Sequence, residues 1–459
     1  MLTGYLLLLL ALLLIWVLGF ALSDYELLAP ASLVPLAMIA SVVLAVLGMG
    51  GWNDVTLTFN AISVTALGTA SFVLGCLLFN KVIVADGRGL RGILRTERHT
   101  QLDVSGDNAK YWILLAVMVV LTLLHMNEMV KLYGGDLAAS FSQIAKAVRQ
   151  STSTVFSSEG VSLDAGFPLY DRMLSKIRSA IGVVSAAALP YELIVHRRRL
   201  SSLVSIALTL LVSCAMTLLS GSRSGMINTV LIFATSLYLC WQWREGALSA
   251  AKRMAVVFAI GVVVLPVAFY LSGFLVGRAP STGAFEYLTF YLGCPVPSLE
   301  KVMAQGIPAT GVIGFNTFHE QYYLLNKLGA VGPMPAYGWF FLDIGEHPSN
   351  VFTFAYRFYA DFGYLGTLLL GAATGIGFTA LYRLACENIH RPAVLFCYAT
   401  IGATLFDIMR DEKFFTSVLT VNAVLTFAIV AVITAWLYND RIRFDRRVLA
   451  ATPWKGEAA

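Results

Sequence analysis

The chain has 459 residues, of which 58% are hydrophobic and only 13% are charged, and its mean hydropathy is +0.74. A soluble globular domain carries about 25% charged residues, so these figures exclude the soluble, disordered and disulfide-rich classes. The net charge of +5 does not indicate nucleic-acid binding, because the cytoplasmic loops of membrane proteins are basic in any case. We therefore predict an all-α polytopic integral membrane protein that does not bind nucleic acid.

Apolar runs close to twenty residues recur along the chain, and each is long enough to cross a hydrocarbon core about 30 Å thick. No Lys or Arg precedes the first run, which is also longer than the core of a signal peptide, so we predict that it is a retained helix. One membrane domain over 1–459 with about eleven spans, within a range of ten to twelve, is predicted: 2–22, 29–48, 60–80, 111–130, 179–195, 203–220, 226–243, 254–276, 362–384, 393–409 and 417–437.

The orientation of these spans is predicted from the basic residues near their ends, because Lys and Arg are retained on the cytoplasmic side. The loop 81–110 and the tail 438–459 are rich in both and are predicted to be cytoplasmic. The loops 131–178 and 277–350 are then external. The loop 277–350 contains seven of the 14 prolines and many aromatic residues, so we predict a large folded external loop, ordered irregularly rather than as one long helix.

Motifs for nucleotide or metal chemistry are missing from the sequence. It contains no GxxxxGK[ST] phosphate loop, no HExxH and no His/Cys cluster with zinc spacing. We therefore predict no metal and no cofactor, so that any energy for a reaction arrives with the substrate or from an ion gradient.

Four arginines on the predicted external side are candidate anion-binding residues. The planar guanidinium group binds phosphate oxygens two at a time and keeps its charge in a partly dehydrated site. The Gly-Ser segment SGSRSG (220–225) also offers backbone N–H groups at a helix start. Each arginine could instead anchor the protein at the membrane interface, and the last could simply pair with Asp407 three residues earlier. The candidates for pyrophosphate binding are Arg223, Arg278, Arg357 and Arg410.

Candidate proton acceptors come from the same side of the predicted membrane. Histidine is suited to proton transfer near neutral pH, and a carboxylate can serve the same role. Each of these residues could instead be a hydrogen-bonding group that folds the loop, and Asp361 could satisfy backbone N–H groups at a helix start. We interpret His125 as structural. The candidate catalytic residues are His319, Glu320, His347 and Asp361, with His319 preferred as the general base.

The span layout, the SGSRSG segment, the large outer loop and the segment NVFTFAYRFYADFGYLG (350–366) together resemble the oligosaccharide repeat-unit polymerases of the O-antigen polymerase family. More distantly they resemble the O-antigen ligases. The resemblance implies an inverting, metal-independent, lipid-dependent glycosyltransferase in the bacterial cytoplasmic (inner) membrane, with its active site on the periplasmic side. The product would be O-antigen, capsule or exopolysaccharide.

The implied partners are an undecaprenyl pyrophosphate-linked glycan as donor, a second glycan as acceptor, and membrane lipids, with a flippase and a chain-length regulator beside them. Arginines would stabilise the leaving pyrophosphate, and loop aromatics would stack on sugar rings. Two alternatives stay open: a transporter or flippase of lipid-linked oligosaccharide, in which the same arginines bind pyrophosphate during passage, and an O-antigen ligase. A transporter should place charged residues at mid-bilayer depth, whereas here they lie mostly near span ends.

Overall fold

The computed structural model describes residues 2–52, 55–83, 107–133, 167–196, 200–219, 223–275, 283–307, 310–335, 341–345 and 348–438. Over these residues the protein is almost entirely helical, apart from one pair of two-residue strands, β1 (Leu342–Asp343) and β2 (Pro348–Ser349). Its helices are α1 Leu2–Leu22, α2 Pro30–Leu47, α3 Phe59–Leu78, α4 Asn108–Tyr133, α5 Leu169–Tyr191, α6 Leu200–Leu219, α7 Arg223–Glu245, α8 Ala247–Leu275, α9 Ala284–Gly293, α10 Pro295–Gln305, α11 Phe315–Lys327, α12 Ala355–Glu387, α13 Pro392–Asp407 and α14 Val421–Tyr438.

Nine helices of the described part are long and apolar enough to cross a membrane. The predicted class, an all-α polytopic membrane protein, is therefore confirmed, whereas the predicted count of eleven spans is not. The nine are α1 to α7, α12 and α14. The helices α8 and α13 occupy the two remaining predicted spans; α13 has 16 residues, slightly fewer than the roughly 17–25 of a spanning helix.

Polar contacts show which helix ends lie together. The hydroxyl of Tyr111, at the start of α4, is 2.9 Å from the carboxylate of Glu192 and 2.8 Å from the hydroxyl of Tyr438. The start of α4 and the ends of α5 and α14 therefore meet at one end of the bundle. The loops predicted to be external begin or end at the opposite end, where α5 and α12 start.

The segment predicted as a large external loop contains three short helices. We call α9, α10, α11 and the β1–β2 hairpin the cap. Beneath it lies a separate hydrophobic core that includes Trp52, Leu299 and Ile344. Glu300 on α10 holds the cap to the bundle, since its Oε2 accepts hydrogen bonds from the backbone nitrogen and the hydroxyl of Thr58 at the start of α3 (2.6 and 2.9 Å). The prediction that this segment does not form one long helix agrees with these elements.

Small residues allow α3 and α12 to pack closely along their length. A Cβ atom on Gly375 would lie 2.0 Å from the carbonyl oxygen of Phe72, and one on Gly75 would lie 2.0 Å from that of Ala372. Gly371 and Gly375 form a GxxxG pattern, which is typical of membrane helices whose backbones approach each other. The close packing of α3 against α12 therefore fixes the start of α12 next to the cap.

Helix α12 is sharply kinked at Gly363, where φ is 62° and ψ is −151°. Only glycine adopts this conformation readily. Hydropathy alone predicts that the span begins at residue 362, but the helix begins seven residues earlier, at Ala355. The extra turns before the kink belong to the cap end of the molecule and carry Arg357 and Asp361.

The start of α5 also differs from the prediction. The helix begins at Leu169, ten residues before the predicted start of the span and inside the segment predicted as the loop 131–178. Hydropathy misses these turns because they contain charged residues. Asp171 in the first turn is buried, and its Oδ2 lies 2.8 Å from Nδ1 of His125 on α4. This contact agrees with the structural interpretation of His125.

Candidate functional site

Arg357 lies at the start of α12, and only 4% of the residue is exposed. Its Nε and Nη2 donate to the two carboxylate oxygens of Asp411, at 2.6 and 3.0 Å. This is the two-bond geometry that a guanidinium group forms with a carboxylate. Burial acts to raise the pKa of Asp411, but the charges of Arg357 and Lys413 overcome it and hold the pKa below its ordinary value. The ion pair therefore stays formed at neutral pH.

A third donor of Arg357 connects α12 to the cap helix α11. Its Nη1 donates to the carbonyl oxygen of Asn316 at 2.8 Å and lies 3.4 Å from Nδ1 of His319. Burial and the neighbouring Arg357 charge lower the pKa of His319 to about 4. His319 is therefore neutral at neutral pH. Its Nε2 lies 3.6 Å from Oε1 of Glu320, whose side chain is 45% exposed.

Asp361 is bound to the start of α11. One carboxylate oxygen accepts from the backbone and side-chain nitrogens of Asn316 (3.2 and 2.9 Å), and the other accepts from the backbone nitrogen of Thr317 at 2.7 Å. These are N–H groups of the first helical turn, which have no partner within their own helix. Asp361 thus satisfies backbone N–H groups at a helix start, as the structural alternative predicted. The helix that it caps is α11, however, and not its own helix α12.

Arg410 follows α13 and pairs with Asp407, the residue three positions earlier that the sequence indicated as its partner. Its Nη1 lies 3.3 Å from Oδ1 of Asp407, and its guanidinium group lies over the ring of Tyr291 on α9, 5.2 Å from the centroid. Among the described residues, no hydrogen-bond partner lies within reach of its buried Nε. The ion-pair alternative is therefore present, and one buried donor of the guanidinium group is left over.

Lys413 joins the two arginines into one array. Its Nζ lies 3.0 Å from Asp407 Oδ2 and 3.8 Å from Asp411 Oδ2. We call these five residues the charged network: Arg357, Asp407, Arg410, Asp411 and Lys413. It combines three cations with two carboxylates, which gives a formal charge of +1 within these five residues.

Glu412 is a buried carboxylate that the sequence did not single out. Its two oxygens accept hydrogen bonds from the backbone nitrogens of Phe414, Phe415 and Thr416, at 2.5 to 3.2 Å, at the start of the π-helical turn Phe414–Val418. Burial and Asp411 raise the pKa of Glu412 to about 7, against the opposing effect of these N–H groups. The two adjacent acidic residues in FDIMRDEKFF (406–415) are the one signal in the sequence that could have found Asp411 and Glu412.

Aromatic residues surround the charged network. Phe318 on α11 contacts Phe415 with ring centroids 4.9 Å apart, and Phe358 on α12 contacts the same ring at 6.3 Å. The hydroxyls of Tyr322 and Tyr323 donate to the backbone carbonyls of Ile313 and Pro335, which flank α11. Many of the aromatics in the predicted loop therefore pack against one another and hold α11 on the bundle.

The structure describes the remaining predicted site residues only in part. Arg223 is the first residue of α7, but its side chain lies outside the described part of the structure, as do all of Arg278 and His347. The structure thus brings together Arg357, Arg410, His319, Glu320 and Asp361 at the cap end. Within the described residues, no group of three His, Cys, Asp or Glu side chains could hold a metal ion.

The fold and this site define a multi-span helical membrane protein with an array of cations beneath an aromatic cap at one end. Comparisons with protein-family models, with curated proteins and with solved structures gave no match.

Proposed function

We propose that the protein is a lipid-dependent glycosyltransferase that polymerises oligosaccharide repeat units carried on undecaprenyl pyrophosphate, in the bacterial inner membrane. The observation that carries the proposal is the charged network: two arginines and a lysine from two distant chain segments meet at one end of a membrane bundle, next to a histidine and an exposed carboxylate. The donor brings its own energy in the anomeric phosphate bond, so the reaction requires neither nucleotide nor cofactor.

In this proposal the cations have different roles. Arg410 and Lys413 contact the pyrophosphate and stabilise the negative charge that grows as the anomeric bond breaks. One well-placed donor of this kind contributes roughly 3–4 kcal/mol. Arg357 is a positioning residue, because Asp411 and Asn316 already occupy three of its donor groups.

The proton acceptor belongs to α11. The acceptor hydroxyl attacks the anomeric carbon, its proton passes to His319 or Glu320, and the bond to the lipid pyrophosphate breaks. Glu320 is the more exposed of the two, and burial raises its pKa above the ordinary value. A raised carboxylate pKa improves a general base. His319 was preferred from the sequence, but its low pKa makes it the weaker base.

The test is polymerisation by purified full-length protein in nanodiscs supplied with a lipid-linked repeat unit. We expect a ladder of longer glycans from the wild type and from Lys301→Ala, a control that removes a cap lysine outside the charged network. Arg410→Ala should lower the rate about 100-fold or more. Glu320→Gln and His319→Gln identify the base. A normal ladder from Arg410→Ala at equal protein level would remove the network from the reaction.

Two other outcomes identify the alternative functions. A single transfer to a lipid A-core acceptor without a ladder would indicate an O-antigen ligase. Movement of the lipid-linked repeat unit between the leaflets of a liposome without glycosyl transfer would indicate a flippase. In the polymerase, a flippase supplies the substrate and a chain-length regulator limits the product.

A further inference from the structure

A cavity of about 200 Å³ lies among α4, α5, α6 and α7, away from the charged network. It is in the half of the bundle nearer the cap, because it is lined by the last turns of α6 and the first turns of α7. One water molecule needs only about 10–15 Å³ of such space, so the cavity can hold a group much larger than water. Its polar lining includes Ser175, Arg178, Ser213, Thr217, Asn228 and Thr229.

Arg178 gives this cavity its charge. Among the described residues that line the cavity, it is the one charged side chain. It is also the last charged residue of α5 before the apolar run that begins at Ala180, nine residues or about 13 Å from the start of the helix. Arg178 therefore lies at the cap-side edge of the apolar run, and it places a positive charge in the lining of the cavity.

Helix α7 adds a second feature that favours an anion. The cavity is lined by Gly225, Asn228 and Thr229 from its first two turns. The backbone N–H groups and the positive end of the helix dipole lie there, and the amide of Asn228 can donate two hydrogen bonds. The side of α6 contributes hydroxyl groups from Ser213 and Thr217.

Asp171 on the same helix joins α5 to α4. Asp171 lies seven residues, or two helical turns, before Arg178. Its carboxylate contacts His125 at 2.8 Å, and both residues are buried. The His125–Asp171 contact joins α4 to α5 on the cap side of the cavity.

We propose that this cavity binds the phosphate group of a membrane lipid, with Arg178 as its cationic contact. A lipid is the source because the cavity lies in the cap-side half of four helices that are each long and apolar enough to cross a membrane. Both a prenyl pyrophosphate and an ordinary anionic phospholipid carry this chemistry. The prenyl pyrophosphate source rests on the proposed function, since a polymerase handles two lipid-linked chains and the charged network holds only one.

The experiment measures equilibrium binding of radiolabelled farnesyl pyrophosphate in phosphatidylcholine nanodiscs to the full-length protein and its variants, all carrying Arg410→Ala so that the charged network does not bind the probe as well. We expect Arg178→Gln to weaken binding at least ten-fold, and Thr229→Phe, which fills the cavity without changing its charge, to weaken it similarly. Arg172→Gln is the matched control, because it removes the same charge from the same helix outside the cavity lining. Its binding should stay within two-fold of the Arg410→Ala parent.

Competition separates the two sources. If phosphatidylglycerol displaces the probe as well as unlabelled farnesyl pyrophosphate does, the cavity is a phospholipid site; if only the pyrophosphate displaces it, the cavity is a substrate site. Unchanged binding by both Arg178→Gln and Thr229→Phe would overturn the proposal. Should Arg178→Gln fail to fold, binding of the probe by Arg178→Lys and Thr229→Phe decides whether the cavity is the binding site. Binding is measured without glycosyl transfer, so the result stands even if the wild type makes no glycan ladder.

Discussion

At the scale of single residues, the Arg357–Asp411 pair has the largest predicted effect on stability. Arg357 is almost fully buried, so removing its partner leaves a charge without compensation. We expect Asp411→Asn to destabilise the protein by about 3 kcal/mol, and Arg357→Lys to destabilise it as well, because lysine cannot form the two-bond contact. Thermal unfolding in detergent measures both effects.

The control for this prediction is the double variant. Arg357→Met combined with Asp411→Asn removes both charges, so its loss of stability should be about 1–3 kcal/mol smaller than the sum of the losses of Arg357→Met and Asp411→Asn measured singly. Additive losses would show that the two side chains do not stabilise each other.

His319 gives the protein a pH dependence of known sign. Its pKa is about 4 in the folded protein and about 6.5 in an unfolded chain. Between these values the unfolded chain binds the proton and the folded protein does not, so stability falls as the pH drops from 6.5 to 4. The full effect is about 3 kcal/mol. We expect the melting temperature of His319→Gln to fall less than that of the wild type over this range, and parallel curves would contradict the prediction.

Some residues of the site could be predicted from the sequence, whereas others could not, for a physical reason. Arg357 and Arg410 stood out as charges next to apolar spans. The partner of Arg410 lies three residues away and was visible, whereas Asp411 lies 54 residues from Arg357. Nothing local indicates such a contact. Arg178 was hidden for another reason, since it lay in a segment predicted as loop.

At the scale of helices, the contact between α3 and α12 depends on glycine. We expect Gly375→Ala to destabilise the protein by about 1–3 kcal/mol, because the new methyl group would force the two backbones apart. The better helix propensity of alanine offsets at most about 1 kcal/mol. Thermal unfolding in detergent measures the change.

The matched control is Ala373→Val on the exposed side of the same helix. It adds two carbon atoms where lipid can accommodate them, so its melting temperature should stay close to that of the wild type. Equal losses from Gly375→Ala and Ala373→Val would show that the close contact is not required.

Hydropathy predicted where the apolar helices lie but not where α5 and α12 begin. The missing turns contain Asp171 and Arg178 in α5 and Arg357 and Asp361 in α12. A charge lowers the hydropathy of a segment whether it faces water or a polar partner inside the protein. The turns that build the sites are therefore the turns that a hydropathy scale leaves out.

At the scale of the whole molecule, the two ends of the bundle should face opposite sides of the membrane. Leu328, which follows the cap helix α11, is 71% exposed, and Leu200 at the start of α6 is 76% exposed. We expect Leu328→Cys to react with an impermeant thiol reagent in intact spheroplasts, and Leu200→Cys to react only after permeabilisation. The reverse pattern would place the charged network in the cytoplasm.

The native cysteine in the cap serves as an internal control in this experiment. Cys294 lies in the segment 277–350 that is predicted to be external, but the residue is only 2% exposed, since it lies between α9 and α10 in the core beneath the cap. We therefore expect no reaction at Cys294 while the protein is folded.

The capping of α11 by Asp361 has a consequence for biosynthesis. The chain emerges from the ribosome in order, so α11 is made before α12 supplies the carboxylate that satisfies its first turn, and before Asp411 arrives to hold Arg357. The cap therefore folds late, after the C-terminal helices have been made. We expect trypsin to cleave nascent chains arrested before residue 407 at Lys327, which is exposed at the end of α11, several-fold faster than chains extended past α14. Resistance of the shorter chains would mean that the cap matures before translation reaches Asp411.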